Sequence, residues 1–382
     1  MAHAGRPLTQ ARLHALSIPF VESFSHSKGE RSTCDSVLVQ VSDSEEVAGW
    51  GEAVPRPYVT GETVDSVLAD LRAVWPRLAG AVLPPLDGPN DLSSVESLIS
   101  AATADLPIGN ATHAALEVAI LDCALRACGQ SLGDLLPPCR DAVTYSGVIS
   151  GGSIERATRT ASLMRMFGLT HFKVKVTSPE DIERVRAVRD AVGSAASIRV
   201  DVNGAWDPST AIAILPDLAR AGVECVEEPL RPGPVEVLAR LRAQSPLPLM
   251  ADESLVTLED ARALAAARAV DHFNLRISKC GGLARCIAIS KIAAESDIGV
   301  QVGCQVGETA VLSAAGRHLS ASLAEVLFTE GSYGDLLLTE DIARDSVCFG
   351  EGGLAPVLAG PGLGIDVVAD AVYRLSARVI EL

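Results

Sequence analysis

The chain has 382 residues, an apolar fraction of 48% and a formal net charge of −16. This length is enough for a barrel of about 250 residues together with a second, smaller domain. The acidic charge argues against nucleic acid and anionic membrane surfaces as partners, although a small anionic substrate can still bind beside a metal cation.

The targeting and redox signals predict a cytoplasmic protein. Residues 1–20 contain no long apolar stretch of the kind found in signal peptides, and no uncharged run reaches the length of a membrane span. The nine cysteines are scattered and include no C-x-x-C pair. This pattern favours free thiols in a reducing compartment over a disulfide framework or a zinc site.

The first 138 residues predict an α+β domain. Ser36–Val41 is rich in β-formers, and the similar run 47–52 follows a short polar turn, which is typical of an antiparallel meander. From Glu62 to Cys128 the pattern becomes helical. The run Ala111–Leu125 is apolar on nearly every side, which predicts a buried helix. Pro137 and Pro138 interrupt this region, so we place the domain boundary at residue 138.

Residues 139–345 repeat a β-branched run, a turn and an alanine-rich helical stretch. The candidate strands are Val143–Ile149, His171–Val176, Ile198–Val202, Glu224–Glu227, Pro248–Asp252, Phe273–Ser278, Gly299–Cys304 and Glu325–Thr329. Markers at or just past their ends recur every 25–27 residues. Eight even βα units predict a (β/α)8 TIM-like barrel of the α/β class. The alternative, a doubly wound open sheet, is disfavoured because no glycine-rich phosphate loop is present.

Ionisable side chains follow five consecutive candidate strands. They are Lys173, Lys175, Asp201, Glu227, Asp252, Glu253 and Lys279. A single acidic residue after a strand is more often a helix cap or a solvated loop residue, but an even spacing favours a shared site. The carboxyl ends of barrel strands meet on the face that carries active sites. Lys173 and Lys175 are two residues apart on one strand and therefore point to the same side.

Three of these side chains form a candidate metal site. Asp201, Glu227 and Asp252 supply hard oxygen ligands from neighbouring strands, and such a set favours Mg²⁺. Neither histidine nor cysteine accompanies them, which argues against zinc.

The strand-end motifs resemble those of one known family. Their order and spacing are similar to the muconate lactonizing enzyme (mandelate racemase/muconate lactonizing enzyme) subgroup of the enolase superfamily. The motifs are Lys173-Val174-Lys175, Asp201-Val202-Asn203, Glu227-Glu228-Pro229, Asp252-Glu253-Ser254 and Lys279-Cys280-Gly281-Gly282. The segment 49–53 (GWGEA) resembles the family's N-terminal capping domain, and 360–365 (GPGLGI) resembles its C-terminal segment. The resemblance implies a cap over residues 1–138, a barrel over 139–345, and a segment 346–382 that returns to the cap. It also implies a homo-oligomer, either a dimer or an octamer.

The resemblance further implies an acid–base enzyme for a small carboxylate substrate. Asp201, Glu227 and Asp252 would bind Mg²⁺, for which Mn²⁺ could substitute. Removal of the proton α to the substrate carboxylate would give a metal-stabilised enediolate. Lys175 and Lys279 would be the acid–base groups on opposite faces of the substrate.

The expected reaction is an isomerisation, either a cycloisomerisation or a racemisation or epimerisation. Lys173 is expected to support Lys175 electrostatically, and Glu253 to help set the protonation of Lys279. A lyase that dehydrates or β-eliminates on the same site is the alternative. A barrel that only binds a small acid is the alternative from another class, but it would have no use for two lysines in base positions.

The sequence departs from the family pattern in three places. Arg276 stands where many relatives have lysine. Glu308 lies one residue later than the glutamate of the family's Met-x-Glu motif. The segment Glu330–Asp335 lacks the Asp-x-Asp pair with which dipeptide epimerases hold an ammonium group, which argues against a dipeptide substrate.

Specificity is expected to come from the cap. The stretch Phe20–Lys28 is interpreted as a polar loop, and Pro55–Tyr58 follows a strand, so that both could close over the barrel as a lid. The candidate residues that contact the substrate or lie behind the ligands are Asn203, Glu253, Arg276, Glu308, Ser25, His26 and Tyr58.

Overall fold

The computed structural model describes residues 5–26, 29–86, 88 and 91–382, with the side chains of residues 23–30 excepted. Its first part contains strands β1 (Leu8–His26), β2 (Gly29–Asp43) and β3 (Ala48–Ala53), followed by helices α1 (Val64–Leu78), α2 (Leu92–Ala102), α3 (Asn110–Cys128) and α4 (Leu132–Leu135). The meander and the buried helix predicted from the sequence are confirmed, since β1, β2 and β3 pair antiparallel and α3 is buried along most of its length.

The second part alternates short strands with helices. Its elements are β4 (Ala142–Thr144), β5 (Gly147–Ile149), α5 (Ile154–Met166), β6 (His171–Lys175), α6 (Ile182–Val192), β7 (Ser197–Asp201), α7 (Pro208–Arg220), β8 (Cys225–Glu227), α8 (Val235–Arg242), β9 (Leu249–Ala251), α9 (Leu258–Ala266), β10 (His272–Leu275), α10 (Ile277–Cys280), α11 (Leu283–Glu295), β11 (Gly299–Val302), α12 (Ala310–Ser322), β12 (Phe328–Thr329), α13 (Gly334–Leu337), β13 (Leu354–Pro356), α14 (Ala369–Leu375) and β14 (Ser376–Glu381). Single 3-10 turns cover Pro179–Asp181 and Glu351–Gly353.

Strands β5 to β12 form a parallel sheet in chain order, and the sheet closes on itself. A parallel bridge joins Tyr145 to Thr329, and the Ser146 amide donates to the Thr329 carbonyl at 2.9 Å. This closure confirms the (β/α)8 barrel. The last strand, β14, pairs with β1 and so joins the cap sheet. The domain boundaries at residues 138 and 345 remain predictions. Within the described ranges, none of the helices has the length and apolar character needed to cross a bilayer.

Two candidate barrel strands were drawn too long. The run Val143–Ile149 divides, because Ala142–Thr144 pairs antiparallel with β13, whereas Gly147–Ile149 pairs with β6 in the barrel. The sixth strand ends at Leu275 instead of Ser278. The chain then makes one helical turn, α10, which ends at Gly281 with a φ of 88° that favours glycine.

The stretch Phe20–Lys28 was interpreted as a loop, and this was wrong for the residues that the structure describes. The backbone from Phe24 to His26 pairs with Arg31, Glu30 and Gly29, which extends the β1–β2 hairpin. Lys28 lies outside the described residues, as do the side chains of Ser25 and His26.

The cap sheet lies directly on the backbone of α3. Gly49 and Gly51 of β3 face this helix, where a Cβ atom at Gly51 would overlap the Ala115 carbonyl, and one at Gly49 would overlap the Cys123 amide. The Trp50 amide, between them, donates to Asp122 at 2.9 Å. The glycines of the GWGEA segment are therefore needed for close approach of strand and helix.

Gly51→Ala is expected to lower the free energy of unfolding by about 3 kcal/mol, because overpacking at a backbone contact has no side chain that can move aside. Gly316→Ala is the matched control, since its Cβ would meet open space within α12. That control is expected to be neutral or stabilising by about 0.5 kcal/mol. Urea titrations followed by circular dichroism measure both, and equal effects of the two substitutions would contradict this account of the cap.

Candidate active site

The carboxylates predicted as metal ligands lie together at the carboxyl ends of neighbouring barrel strands. Asp201 ends β7, Glu227 ends β8 and Asp252 follows β9. The strand register places Lys175 beside Asp201 and Asp201 beside Glu227. All three carboxylates have no exposed surface.

Two lysines of β6 point into this cluster. Lys173 Nζ lies 2.7 Å from Glu330 Oε2 and 3.2 Å from both Glu227 Oε2 and Asp201 Oδ2. Lys175 Nζ lies 2.6 Å from Asp201 Oδ2 and also donates to Asn203 Oδ1 at 2.9 Å. Each ammonium group is therefore held by carboxylates from the following strands.

Lys279 approaches from another side of the ring. It lies on α10, directly after the sixth barrel strand, and its side chain is fully buried. Its Nζ donates to the carbonyls of Asp252 at 2.6 Å and Asn274 at 2.9 Å. Since β6 and β10 are four strands apart in a closed ring of eight, Lys175 and Lys279 are presented from opposite sides.

The whole chain contains only five lysines, and three of them are in this cluster. Lys291 is exposed on α11, and Lys28 lies outside the described residues. A chain in which arginine far outnumbers lysine places three of its five lysines here, where their ammonium groups are buried. This composition signal could have been read from the sequence.

Burial and neighbouring charges both shift the pKa values of the side chains in this cluster. Burial disfavours the charged ammonium of Lys173, but the nearby carboxylates, led by Glu227, outweigh it and hold its pKa well above the usual range. Burial, reinforced by the charge of Asp201, raises the pKa of Glu227 to about 7. Additional positive charge beside Glu227 would favour its ionised form.

The donor set fits Mg²⁺ in its chemistry. It consists of buried carboxylate oxygens, and Asp252 Oδ1 accepts no hydrogen bond although it lies 3.1 Å from Lys279 Nζ. In the described part of the chain, no three acidic, histidine or cysteine side chains stand together as a ready-made cage. The reason is that the Asp201 and Asp252 oxygens point to Lys175 and Arg276. Binding the ion would require them to exchange these cationic partners for it.

Asn203 and Glu253 form a chain of contacts on the Lys175 side. Asn203 accepts from Lys175, and its Nδ2 donates to Glu253 Oε1 at 2.9 Å. The Asn203 backbone has a φ of 47°, in the left-handed region that asparagine tolerates better than most residues. Glu253 was expected beside Lys279, but its hydrogen bond goes to Asn203. Its Oε2 is buried without a hydrogen-bond partner.

Arg276 and Glu308 lie at different depths. Arg276 pairs with Asp252, lies 3.6 Å from Glu227 Oε1, and donates to Gln305 Oε1 at 3.2 Å. Glu308 accepts from the Gln305 amide and lines a separate small cavity behind the site. Burial raises the pKa of Glu308 to about 8. Arg276 therefore lines the cavity of about 500 Å³ beside the cluster, whereas Glu308 does not line it.

Sequence reasoning assigned no role to several side chains that hold the cluster in place. Glu330 bridges Lys173 and Arg199. Asn274 and Gln301 are paired across β10 and β11, and they donate to the two carboxylate oxygens of Glu227 at 2.8 and 3.3 Å. Polar residues at inward positions of otherwise apolar strands are the signal that could have identified them.

A cavity of about 500 Å³ opens beside the cluster. One part of this cavity is lined by polar and charged side chains, namely Lys173, Lys175, Asn203, Glu253, Arg276 and Glu330. Tyr58 from the cap, a candidate substrate contact, also lines the cavity and is 40% exposed.

Known proteins match both the sequence and this architecture. The family model described as "Enolase C-terminal domain-like" matches residues 155–371. N-succinyl-L-Arg/Lys racemase of Bacillus cereus is 28% identical over 376 residues, 97% of this chain and 98% of the relative. Chloromuconate cycloisomerase of Delftia acidovorans is 31% identical over 344 residues, 88% of this chain and 90% of the relative.

Solved structures agree with the sequence matches. The crystal structure of N-succinyl Arg/Lys racemase from Bacillus cereus superposes with a TM-score of 0.90 at 27% identity, covering 98% of this chain and 100% of that one. A second crystal structure is that of a dipeptide epimerase from Cytophaga hutchinsonii, complexed with Mg and the dipeptide D-Ala-L-Val. It superposes with a TM-score of 0.89 at 26% identity, and the match covers 98% of this chain and 99% of that one. The chain belongs to the enolase superfamily, in its mandelate racemase/muconate lactonizing enzyme subgroup.

Proposed function

We propose that this enzyme is a magnesium-dependent isomerase that removes and returns the proton α to the carboxylate of a small acid. The observation that carries the proposal is the placement of Lys175 and Lys279 on opposite sides of a ring whose centre holds three buried carboxylates. A proton can then leave one face of a carbon and arrive on the other. We therefore favour racemisation or epimerisation.

Asp201, Glu227 and Asp252 would hold the metal ion, and Mn²⁺ could replace Mg²⁺ because it accepts the same oxygen ligands. When bound, the ion would supply positive charge beside the substrate carboxylate, where negative charge develops as the α-proton leaves. The similar epimerase structure that contains Mg supports this assignment.

The two lysines would divide the proton transfer between them. A lysine that takes the proton must first be neutral, whereas the opposite lysine must be charged in order to deliver one. Their roles therefore exchange between the two enantiomers of a substrate. Lys173 would act as a positive charge beside Lys175, since its Nζ lies 3.2 Å from the Asp201 oxygen that also contacts Lys175. It would stabilise charge on the cluster without acting as the base.

Cycloisomerisation is the second candidate, because the chloromuconate cycloisomerase match reaches 31% identity over 88% of this chain. Such a reaction needs one lysine to move a proton while the other stabilises charge. A lyase would use the same first step, and no feature of the cavity favours it. A barrel that only binds acids is not supported, because both lysines are retained in the buried cluster.

We also propose a cytoplasmic location and a homo-oligomer, a dimer or an octamer. All nine cysteines are free thiols, which supports a reducing compartment. The oligomer is proposed from the resemblance to the subgroup.

Proton exchange in deuterated water tests the proposed function before the natural substrate is known. A panel of N-acyl amino acids, dipeptides and cis,cis-muconate is incubated with the Mg²⁺-loaded enzyme. At least one amino-acid derivative is expected to gain one mass unit at its α-carbon and to lose optical activity. Lactone formation from muconate would favour the cycloisomerase instead. Protein treated with EDTA is the control, and the absence of exchange from every carboxylate would refute the proposal.

A further inference from the structure

The cavity beside the lysines has two chemically different ends. All its charged lining residues, namely Lys173, Lys175, Glu253, Arg276 and Glu330, lie at or directly after barrel strands. The other end is formed by α5 with the segment after it, and by α13 and Phe349. Among the described lining residues there, none is charged. The apolar ones include Leu163, Met164, Phe167, Leu336, Leu337 and Phe349.

Both acidic groups of the cavity follow barrel strands, at the lysine end. Glu330 is paired with both Lys173 and Arg199. Glu253 accepts from Asn203 through Oε1, while its Oε2 has no hydrogen-bond partner, and this residue follows β9 at the lysine end. The hydroxyl of Tyr333, which also lines the cavity, donates to the Ser146 carbonyl at 2.6 Å. The apolar end therefore offers a ligand carbon surfaces and an aromatic ring, with no described carboxylate to receive an ammonium group.

This apolar end is open to solvent at its rim. Leu163 and Leu336 are 60% and 61% exposed, although both line the cavity. Exposed large apolar side chains at the mouth of a pocket indicate a surface that a ligand covers. Gly147 of β5 leaves room for the Met164 side chain, because a Cβ atom at this position would lie only 2.6 Å from the Met164 sulfur. The apolar surface is thus continuous with the strand that neighbours Lys173.

We propose that the substrate is a carboxylic acid whose remote end is apolar and uncharged. This rests on the proposed function, since the carboxylate end is taken to lie between Lys175 and Lys279. Each ligand methylene group buried at the apolar end of the cavity, between α5 and α13, would tighten binding about fourfold. A charged group at the same place would lose its hydration without gaining a partner.

Three ligands that differ only in the tail terminus test this inference by binding alone. N-hexanoyl-L-alanine ends in a methyl group, N-adipoyl-L-alanine in a carboxylate and N-(6-aminohexanoyl)-L-alanine in an ammonium group. N-acetyl-L-alanine shares the same head and lacks the last four carbons of the hexanoyl tail. With Mg²⁺ present, calorimetry is expected to show that the hexanoyl compound binds at least about tenfold more tightly than the other three.

Substitutions of exposed residues at the rim test whether the hexanoyl tail binds at the apolar end of the cavity, and they leave the buried core unchanged. Leu336→Glu and Leu163→Glu are each expected to lower the affinity for the hexanoyl compound about tenfold and to leave the affinity for the acetyl compound unchanged. Leu327→Glu is the matched control, because this leucine is 43% exposed and precedes β12, at the amino end of the barrel. It is expected to alter neither affinity.

The inference is overturned if either charged tail binds as tightly as hexanoyl, or if acetyl and hexanoyl bind equally. It is also overturned if the rim substitutions leave hexanoyl binding intact. Because the readout is affinity, these outcomes are separate from those of the proton-exchange panel. A protein that binds the hexanoyl compound best but exchanges no proton would refute the proposed function and retain the apolar site.

Discussion

Replacing Lys175 or Lys279 by alanine is expected to lower the kcat of racemisation by at least about 10²–10⁴-fold, the usual contribution of a general acid–base group. Inversion needs a proton acceptor on one face and a donor on the other, so neither lysine can replace its partner. Each variant should still exchange the α-proton of one enantiomer with solvent, because one lysine remains on that face. The two variants should therefore show opposite enantiomer preferences in deuterium exchange followed by NMR.

Lys291→Ala is the control for loss of a lysine, since Lys291 is exposed on α11. Thermal melts accompany the kinetics, because Lys279 donates to two buried carbonyls and its removal leaves them unpaired at a cost of about 1–3 kcal/mol. A folded variant that loses racemisation but keeps exchange with one enantiomer identifies a catalytic role. If both alanine variants racemised at a near-normal rate, the two-lysine mechanism would be wrong.

Asp252→Asn and Glu227→Gln are each expected to lower Mg²⁺ affinity by at least about 100-fold. Replacing even a supporting partner behind a metal ligand costs 10–100-fold, and these substitutions remove the ligand charge itself. Calorimetric titration with Mg²⁺ and electron paramagnetic resonance with Mn²⁺ measure the loss without relying on turnover. Both substitutions preserve side-chain volume, so the fold should be retained.

Glu236→Gln provides the matched control, because Glu236 is an exposed carboxylate on α8 and its neutralisation should leave Mg²⁺ affinity unchanged. Unaltered affinity in both the Asp252 and Glu227 variants would place the metal elsewhere. The proposed function would then lose its source of positive charge beside the substrate carboxylate.

The barrel and the centre of the site were predictable because both depend on short-range regularities. A βα unit of constant length returns the chain to the same face of the barrel, so strand-end residues 25–27 positions apart must converge. Asp201, Glu227 and the β6 lysines follow this rule, and Lys173 Nζ lies 3.2 Å from an oxygen of each of the two carboxylates. The run Ala111–Leu125, which is apolar on nearly every side, likewise predicted the buried helix α3.

The contacts that hold these groups in place were not predictable in the same way. Glu330 reaches Lys173 and Arg199 across the closure of the barrel, and closure joins strands that are far apart in sequence. The β-prone run through Ser278 gave no sign that the strand ends at Leu275. The helical turn that follows depends on long-range support, including the Asn110 side chain, which donates to the Lys279 carbonyl at 2.8 Å.

By itself, the sequence determined the eight-unit barrel, the candidate acid–base lysines and the candidate metal carboxylates. The physical reason is that side-chain alternation and repeat length are local properties of the chain. Only the tertiary structure decided which cation pairs with which carboxylate, that Glu253 contacts Asn203, and that α5 and α13 form an apolar wall beside the lysines. These features arise where elements distant in sequence pack together, and no local pattern encodes the distances between them.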